Sequence, residues 1–395
     1  MSVPLRVAVC PDFREERWPS MDRVADELLR ALARDFRETV AAVSVAPTFR
    51  YRAMRMSSGH LAANADRGLN RLFDYPSHVG RLAHEFDLFH VMDHSYAQLV
   101  HRLPADRTIV TCHDLDTFRS VLDPGAEPRS LAFRVMTRHI LNGLRRAACV
   151  TCDTAVVRDE LVEAGLVQPE RVVVVPIGVS APFTQEASAR AQAQAEQLVP
   201  VVPGSVDILH VGSVADRKRL DVLIGCCAAL RPRVPSLRLI RVGGRLSDDQ
   251  TLLAESLGCA DIIVSVPAVD DETLAALYRR AALVLLPSAR EGFGLPVIEA
   301  LACGTPVVSS NLPVLREVGG RAAEYCPVGD VPAWTRTILA LLDERATAPE
   351  RWNARRAQGT FWAGRYSWSR FADRMVSLYL EMAGAEQAGA RRTTA

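Results

Sequence analysis

One stretch limits the folds open to this chain more than any other. The apolar run Ala282-Leu283-Val284-Leu285-Leu286-Pro287 leads directly into Ser288-Ala289-Arg290-Glu291-Gly292-Phe293-Gly294-Leu295-Pro296-Val297-Ile298-Glu299-Ala300. A run so short and so apolar reads as a strand buried on both faces, which belongs in a parallel sheet. Residues 295–302 read as a helix with Pro296 in its first turn, where the missing N–H costs nothing. Gly292 and Gly294 let the backbone of the turn come close to a ligand, and the free N–H groups of the helix start favour an anion. Glu291 before the turn and Glu299 inside the helix bracket that anion position. A phosphate repels a carboxylate, so each acid is expected to accept hydrogen bonds from hydroxyls on either side of it. Ribose, diphosphate and hexose follow one another in that order in a nucleotide sugar.

The alternation of strand and helix runs through the whole chain. In the first half, strands are expected at 5–10, 40–45, 87–91, 108–111, 149–152 and 171–175, with helices at 21–32, 131–145 and 155–164 and Ser20 as a helix cap. Polar clusters follow three of these strands: Asp12, Arg14, Glu15, Glu16, Arg17 and Trp18; then Asp93-His94-Ser95-Tyr96; then Cys112-His113-Asp114. Loops at the carboxyl ends of parallel strands are where open α/β sheets bind ligands, so these clusters are candidates for lining one cleft. A solvated loop and a histidine satisfied within the fold are the ordinary readings of the same residues, and the sequence leaves both open. Residues 184–197, rich in Ala, Gln and Glu and followed by Pro200 and Pro203, read as a helical connector between domains.

The second half repeats the pattern. Val206–Val211 reads as a strand, followed by Arg217-Lys218-Arg219 at a helix start. Cations there face the positive end of the helix dipole, an unfavourable effect of about 0.3–1 kcal/mol, so three together point to a compensating anion such as a diphosphate. Leu237–Val242 ends at Gly243-Gly244, where a side chain would obstruct a ligand or a turn. No G-x-G-x-x-G follows the first strand of either half, which argues against a dinucleotide-dependent dehydrogenase.

With 395 residues, 49% of them hydrophobic, the chain has material for two cores, and a net charge of +1 makes no case for nucleic acid. The nine cysteines sit in or beside apolar runs, and Cys149-Val150-Thr151-Cys152 is expected to hold buried structural thiols instead of a metal or redox site. The opening residues do not have the layout of a signal segment, and no apolar run nears the roughly 20 residues needed to cross a bilayer, so a cytoplasmic chain is expected. Arg50, Arg52, Arg55, Arg67, Arg71 and Arg81, mixed with Met and aromatic residues, read as a solvated helix face. The same stretch, 50–81, allows peripheral contact with anionic lipid at the inner face of the membrane.

Taken together, Glu291 and Glu299 in the spacing E-x7-E, the motif E-G-F-G-L-P, Ala302-Cys303-Gly304-Thr305-Pro306-Val307-Val308 and Glu317-Val318 resemble the retaining glycosyltransferases of GT-B fold, family 4 in particular. The resemblance implies an α/β architecture of two doubly wound, Rossmann-like domains facing a central cleft. On this basis residues 1–180 form an acceptor-side domain, 181–205 a linker and 206–355 the nucleotide-sugar domain. Residues 356–382 would be helices returning to the first domain, and 383–395 a disordered tail. Glu291 would contact the donor hexose, Glu299 the ribose, Arg217 and Lys218 the diphosphate, and His113 would stand near the donor sugar. Gly292, Phe293, Gly294 and Leu295, the pair Gly243 and Gly244, and Val269 near the nucleobase complete the donor side. Arg14, Glu15, Trp18, Asp93, His94 and Asp114 are the acceptor-side candidates. The chain departs from the family pattern at Ser213, where an arginine is common, so Arg217 is expected to take over that phosphate contact.

The expected function is transfer of a hexosyl group from a nucleotide-diphosphate sugar to an acceptor, which is a saccharide, a lipid-linked compound or a small molecule. The acceptor would attack from the face that the leaving diphosphate departs, with no metal and no cofactor. A nucleotide-sugar epimerase of similar architecture, and a catalytically silent glycosyltransferase-like subunit, are the alternatives.

Overall fold

The computed structural model describes residues 3–56 and 59–393. Two units emerge: one comprises the chain up to Gly178 together with the segment from Trp368 onward, the other Val179–Ser367.

The first unit is built on six parallel strands, β1 (Leu5–Cys10), β2 (Val40–Ser44), β3 (Leu88–Val91), β4 (Thr108–Cys112), β5 (Cys149–Cys152) and β6 (Val172–Val174). Their order is β2-β1-β3-β4-β5-β6. The central strands β3, β4 and β5 are buried along their whole length, which is why they lack an alternating pattern, whereas the edge strand β2 buries only Val40. Chain direction across the sheet reverses between β1 and β3, and such a switch point opens a crevice at the carboxyl ends of the strands. Helices are started by side-chain caps: Ser130 Oγ accepts from the Phe133 N–H, and Thr154 Oγ1 from that of Val157. The helix Leu131–Arg146 lies so close to the turn His94–His101 that a Cβ on Gly143 would fall on the Ala97 carbonyl. A last helix, Trp368–Thr393, closes the unit. Its Met375 and Tyr379 are fully buried, and the Tyr379 hydroxyl lies 2.7 Å from His90 Nδ1 on β3.

The second unit has strands β7 (Val206–Val211), β8 (Leu237–Val242), β9 (Ile263–Val266), β10 (Leu283–Leu286), β11 (Val307–Ser310) and β12 (Ala323–Cys326), all parallel in the order β12-β11-β10-β7-β8-β9. Here the switch point lies between β7 and β10, so the turn after β7 and the glycine-containing turn after β10 stand side by side.

Four boundaries differ from the sequence reading. The helix Pro19–Asp35 begins at the proline with Trp18 as its N-cap residue, so Ser20 lies inside it and caps nothing. The supposed linker is part of the second unit: Ala189–Leu198 is a helix whose Ala191 and Ala195 are buried against the helix Asp271–Arg280. The helix Pro349–Ala363 stays with the second unit, and the chain rejoins the first only at Trp368. The expected tail continues as helix to Thr393, because Ala, Glu, Gln and Arg are strong helix formers; 394–395 lie outside the described residues. All nine cysteines are buried free thiols. Among the described residues no helix is long and apolar enough to cross a membrane, and no group of three or more His, Cys, Asp or Glu side chains could hold a metal ion.

Candidate functional site

At the switch point of the second unit, the backbone N–H of Ala289 donates to the Arg217 carbonyl at 2.7 Å and ties the turn after β10 to that after β7. This brings three charged side chains together. Lys218 Nζ donates to Glu291 Oε1 at 2.6 Å, and Arg217 Nη1 reaches Glu291 Oε2 at 3.5 Å and the Arg290 carbonyl at 3.3 Å. Ser288 Oγ donates a further bond of 2.6 Å to Glu291 Oε1. The Glu291 side chain is only 7% exposed. Burial alone would raise its carboxyl, but Lys218 and Arg217 outweigh it and hold the group below the ordinary value, so it stays charged. Two cations and one anion leave a local excess of one positive charge. Arg219, a non-glycine residue at φ +51°, turns the chain from Lys218 into the helix Leu220–Leu230.

The next helix, Leu295–Ala302, starts from Gly294 at φ +95°, where a Cβ would also come within 2.6 Å of Leu315 Cδ2. Glu299, one turn in, is buried, and its Oε2 accepts from the Tyr278 hydroxyl at 3.0 Å. Beneath the two turns lie His210 and Arg241, both fully buried. His210 Nδ1 donates to the Leu285 carbonyl at 3.0 Å, and burial lowers its pKa to about 4, so the ring is neutral. Arg241 donates to the carbonyls of Gly212, at 3.1 Å, and of Gly244, joining the turns after β7 and β8. Gly243 packs so tightly there that a Cβ would strike the Gly212 carbonyl.

In the first unit, polar residues gather where β1, β3, β4 and β5 end. His113 Nδ1 lies 2.7 Å from Asp153 Oδ2, and Nε2 lies 2.9 Å from the Met92 carbonyl oxygen. Both neighbours are acceptors, so both ring nitrogens carry protons and the ring is a cation. Burial opposes that charge most strongly, yet Asp153, Asp93 and the Met92 carbonyl together raise the pKa to about 10. Asp12, after β1, is buried against Asp93, after β3. Burial and the Asp93 charge push Asp12 well above the usual carboxylate range, while in Asp93 the neighbouring His94 and His113 outweigh burial and pull it down. The two acids therefore share one proton, which resides on Asp12. Arg71 is turned inward, with Nη1 3.4 Å from Glu16 Oε2, Nη2 3.0 Å from Ser95 Oγ, and its guanidinium 4.1 Å from the centre of the Tyr96 ring.

Residues 21–181 match the family model for Glycosyltransferase Family 4, and residues 197–358 match that for Glycosyl transferases group 1. The chain belongs to the family 4 glycosyltransferases of GT-B fold. A D-inositol 3-phosphate glycosyltransferase from Segniliparus rotundus is 34% identical to this family 4 member over 241 residues, covering 58% of the chain and 51% of the relative. The chain spans about half the length of the curated relatives it matches. Among solved structures, sucrose-phosphate synthase from Thermosynechococcus elongatus superposes with a TM-score of 0.74 at 20% identity, over 96% of this chain and 100% of that one. Anabaena Alr3699/HepE in complex with UDP gives 0.69 at 16% identity, over 95% and 100%.

Within the second unit, Arg217, Lys218 and Glu291 meet directly, and Gly292 and Gly294 form the turn beside them. Other candidates take different places. Phe293 is buried, edge-on to Tyr366 at 5.7 Å, so its ring packs within the unit and is not turned to a ligand. Leu295 opens the helix half-buried, and Val269 is half-buried in the loop before Asp271–Arg280. Gly244 is open above the turn that Gly243 packs. His113 has both ring nitrogens engaged, so it presents a charge and not a free nitrogen. Asp93, His94 and Asp114 do come together, with His94 3.2 Å from Asp93 and 3.6 Å from Asp114. Arg14 is turned to Asp26 at 2.6 Å, and Glu15 and Trp18 are exposed to solvent. Sequence reasoning passed over Arg241, Tyr278 and Asp153, named Glu16 only within a polar loop, and read Arg71 as part of a solvated arginine-rich face. For Arg241 a signal existed, an arginine near the end of an otherwise apolar strand. In the arginine-rich stretch, Arg50 and Arg52 pair with Asp74 at 3.4 and 2.7 Å, while Met56, Leu61 and Phe73 are exposed.

Proposed function

We propose that this chain transfers a hexosyl group from a nucleotide-diphosphate sugar to an acceptor hydroxyl with retention of anomeric configuration. The observation that carries this reading is the clasp of Glu291 by Lys218 and Arg217 at the switch point of the second unit. Glu291 holds the two cations in place where a diphosphate needs them. As the anomeric C–O bond breaks, negative charge builds on the leaving diphosphate, and Lys218, Arg217 and the N–H groups at the start of Leu295–Ala302 stabilise it. The acceptor oxygen forms the new bond on the same face, and its proton passes to a leaving phosphate oxygen. Glu291 then accepts a sugar hydroxyl and Glu299 a ribose hydroxyl. The side-chain cations do the neutralising, so the reaction is read as metal-independent. His113, with both nitrogens bound, acts as a fixed charge and shuttles no proton. The reading places the chain in the cytoplasm, where nucleotide sugars are at hand, with the stretch 50–81 available to anionic lipid.

The complexes of Anabaena Alr3699/HepE with UDP and with UDP-glucose support a nucleotide-sugar donor. The test is a thermal-shift panel of UDP, GDP and ADP sugars, followed by product analysis with the donor that stabilises the chain. Glycoside of retained configuration supports transfer, an isomerised donor formed without acceptor points to an epimerase, and binding without turnover points to a silent subunit. Full activity in both Lys218→Ala and Arg217→Ala would refute the assignment. Co-sedimentation with anionic liposomes decides the membrane contact.

A further inference from the structure

The crevice between β1 and β3 in the first unit is chemically one-sided. Asp12 is 4% exposed, and neither of its carboxyl oxygens meets a hydrogen-bond donor from the protein. Glu16, equally buried, leaves Oε1 without a partner, and Asp153 leaves Oδ1. His94 is buried too, and its Nε2 makes no hydrogen bond, lying 3.6 Å from Asp114 Oδ1. A desolvated polar atom without a partner costs about 1–3 kcal/mol. One Asp12 oxygen carries the proton shared with Asp93; the other, with Glu16 Oε1, Asp153 Oδ1 and His94 Nε2, is left this way around the carboxyl ends of a single sheet.

The cations buried among these acids are already engaged. Arg71 is held by Glu16, Ser95 and the Tyr96 ring, and His113 by Asp153 and the Met92 carbonyl. Asp12 and Asp93 together carry one negative charge, Glu16 is balanced by Arg71 and Asp153 by His113, and Asp114 adds a further charge. A phosphate brought here would meet like charges, whereas hydroxyl groups would supply the donors that the carboxyl oxygens lack. We infer that this crevice, lined by Asp12, Glu16, Asp93, His94 and Asp114, binds an uncharged polyhydroxylated acceptor through its hydroxyls and disfavours the phosphorylated form of the same compound. The inference rests on the transfer reading for its meaning, and it sets this chain apart from relatives named for inositol 3-phosphate.

Binding is read directly, without donor, by ligand-observed NMR on the full chain with inositol, glucose and the monophosphate of each. Saturation-transfer signal from an uncharged compound, at least about ten-fold tighter than its phosphate, is expected. In Asp93→Asn and Glu16→Gln the preference should shrink by about ten-fold as the charge that repels phosphate is removed. Asp114→Asn, at a more exposed position, serves if either buried variant fails to fold. Tighter binding of a phosphate, or binding of neither uncharged compound, overturns the inference, as does a preference unchanged in all folded variants. Nucleotide-sugar binding is followed separately by thermal shift, so a failure of the donor reading registers there and leaves the polyol result to stand or fall on its own.

Discussion

Asp153→Asn changes one atom and reverses the protonation of a neighbour. In the wild type both ring nitrogens of His113 face acceptors, and its pKa stands at about 10 against an ordinary 6.5. At about 1.4 kcal/mol for each pH unit, that rise corresponds to roughly 5 kcal/mol of stabilisation of the charged ring. Because the folded value is raised, the contribution is present in full below pH 6.5 and is lost as pH climbs through about 10. Asparagine has the shape of the carboxylate, and its amide can donate to an unprotonated Nδ1, so the contact survives while the charge goes. Burial, the largest influence on the ring, then acts unopposed by Asp153 and drives the pKa below 6.5. The assay is NMR of the nine histidines labelled at Cε1, with His113 assigned by its loss in His113→Gln. One resonance should keep imidazolium shifts to about pH 10 in the wild type and lose them below 6.5 in Asp153→Asn. Unfolding free energy should fall between pH 7 and 10.5 in the wild type, and the variant should lack that slope. A wild-type His113 titrating near 6.5, or an unchanged pKa in the variant, would refute the argument.

Lys218→Ala should lower kcat/KM for the nucleotide sugar by about 10²-fold and leave Glu291 buried with a weaker counter-charge, checked by steady-state kinetics and urea unfolding. The depressed Glu291 carboxyl contributes stability that is complete above its unfolded value and lost as pH falls through the folded one, so acid unfolding should begin earlier in the wild type relative to neutral pH than in Glu291→Gln. Gly294→Ala meets both a positive φ and the Leu315 side chain and should cost about 1–3 kcal/mol by calorimetry. Tyr278→Phe removes the hydroxyl that Glu299 accepts from and should cost about 1 kcal/mol, with a raised KM for donor and little change in kcat. Dialysis against a chelator should leave the transfer rate unchanged.

The architecture was legible because it rests on local pattern. A buried parallel strand declares itself through a short apolar run, and Gly294 and Pro296 mark where strand gives way to helix. Arg217, Lys218 and Glu291 were legible as separate motifs, but their contact was not, since it depends on β7 and β10 being neighbours across 73 residues of chain. The same limit hid the cluster in the first unit. Arg71 looks like one more cation of an arginine-rich face, and only the fold brings Glu16, Ser95 and Tyr96 around it. The helix Ala189–Leu198 was misread for a different reason: its buried contacts are Ala191 and Ala195, whose small side chains give no apolar stripe to recognise.

The helix Trp368–Thr393 carries a consequence for the order in which the protein matures. The second unit is one continuous segment, and every strand of its sheet has left the ribosome before the last helix is made. The first unit is begun earlier yet finished later, since His90 and the surface that Met375 and Tyr379 cover wait for the final 28 residues of the 395. A chain released before Trp368 therefore carries a complete second unit and a first unit whose apolar flank is bare. Shortened chains ending there should be captured by chaperones through the early part of the sequence, far from the truncation itself.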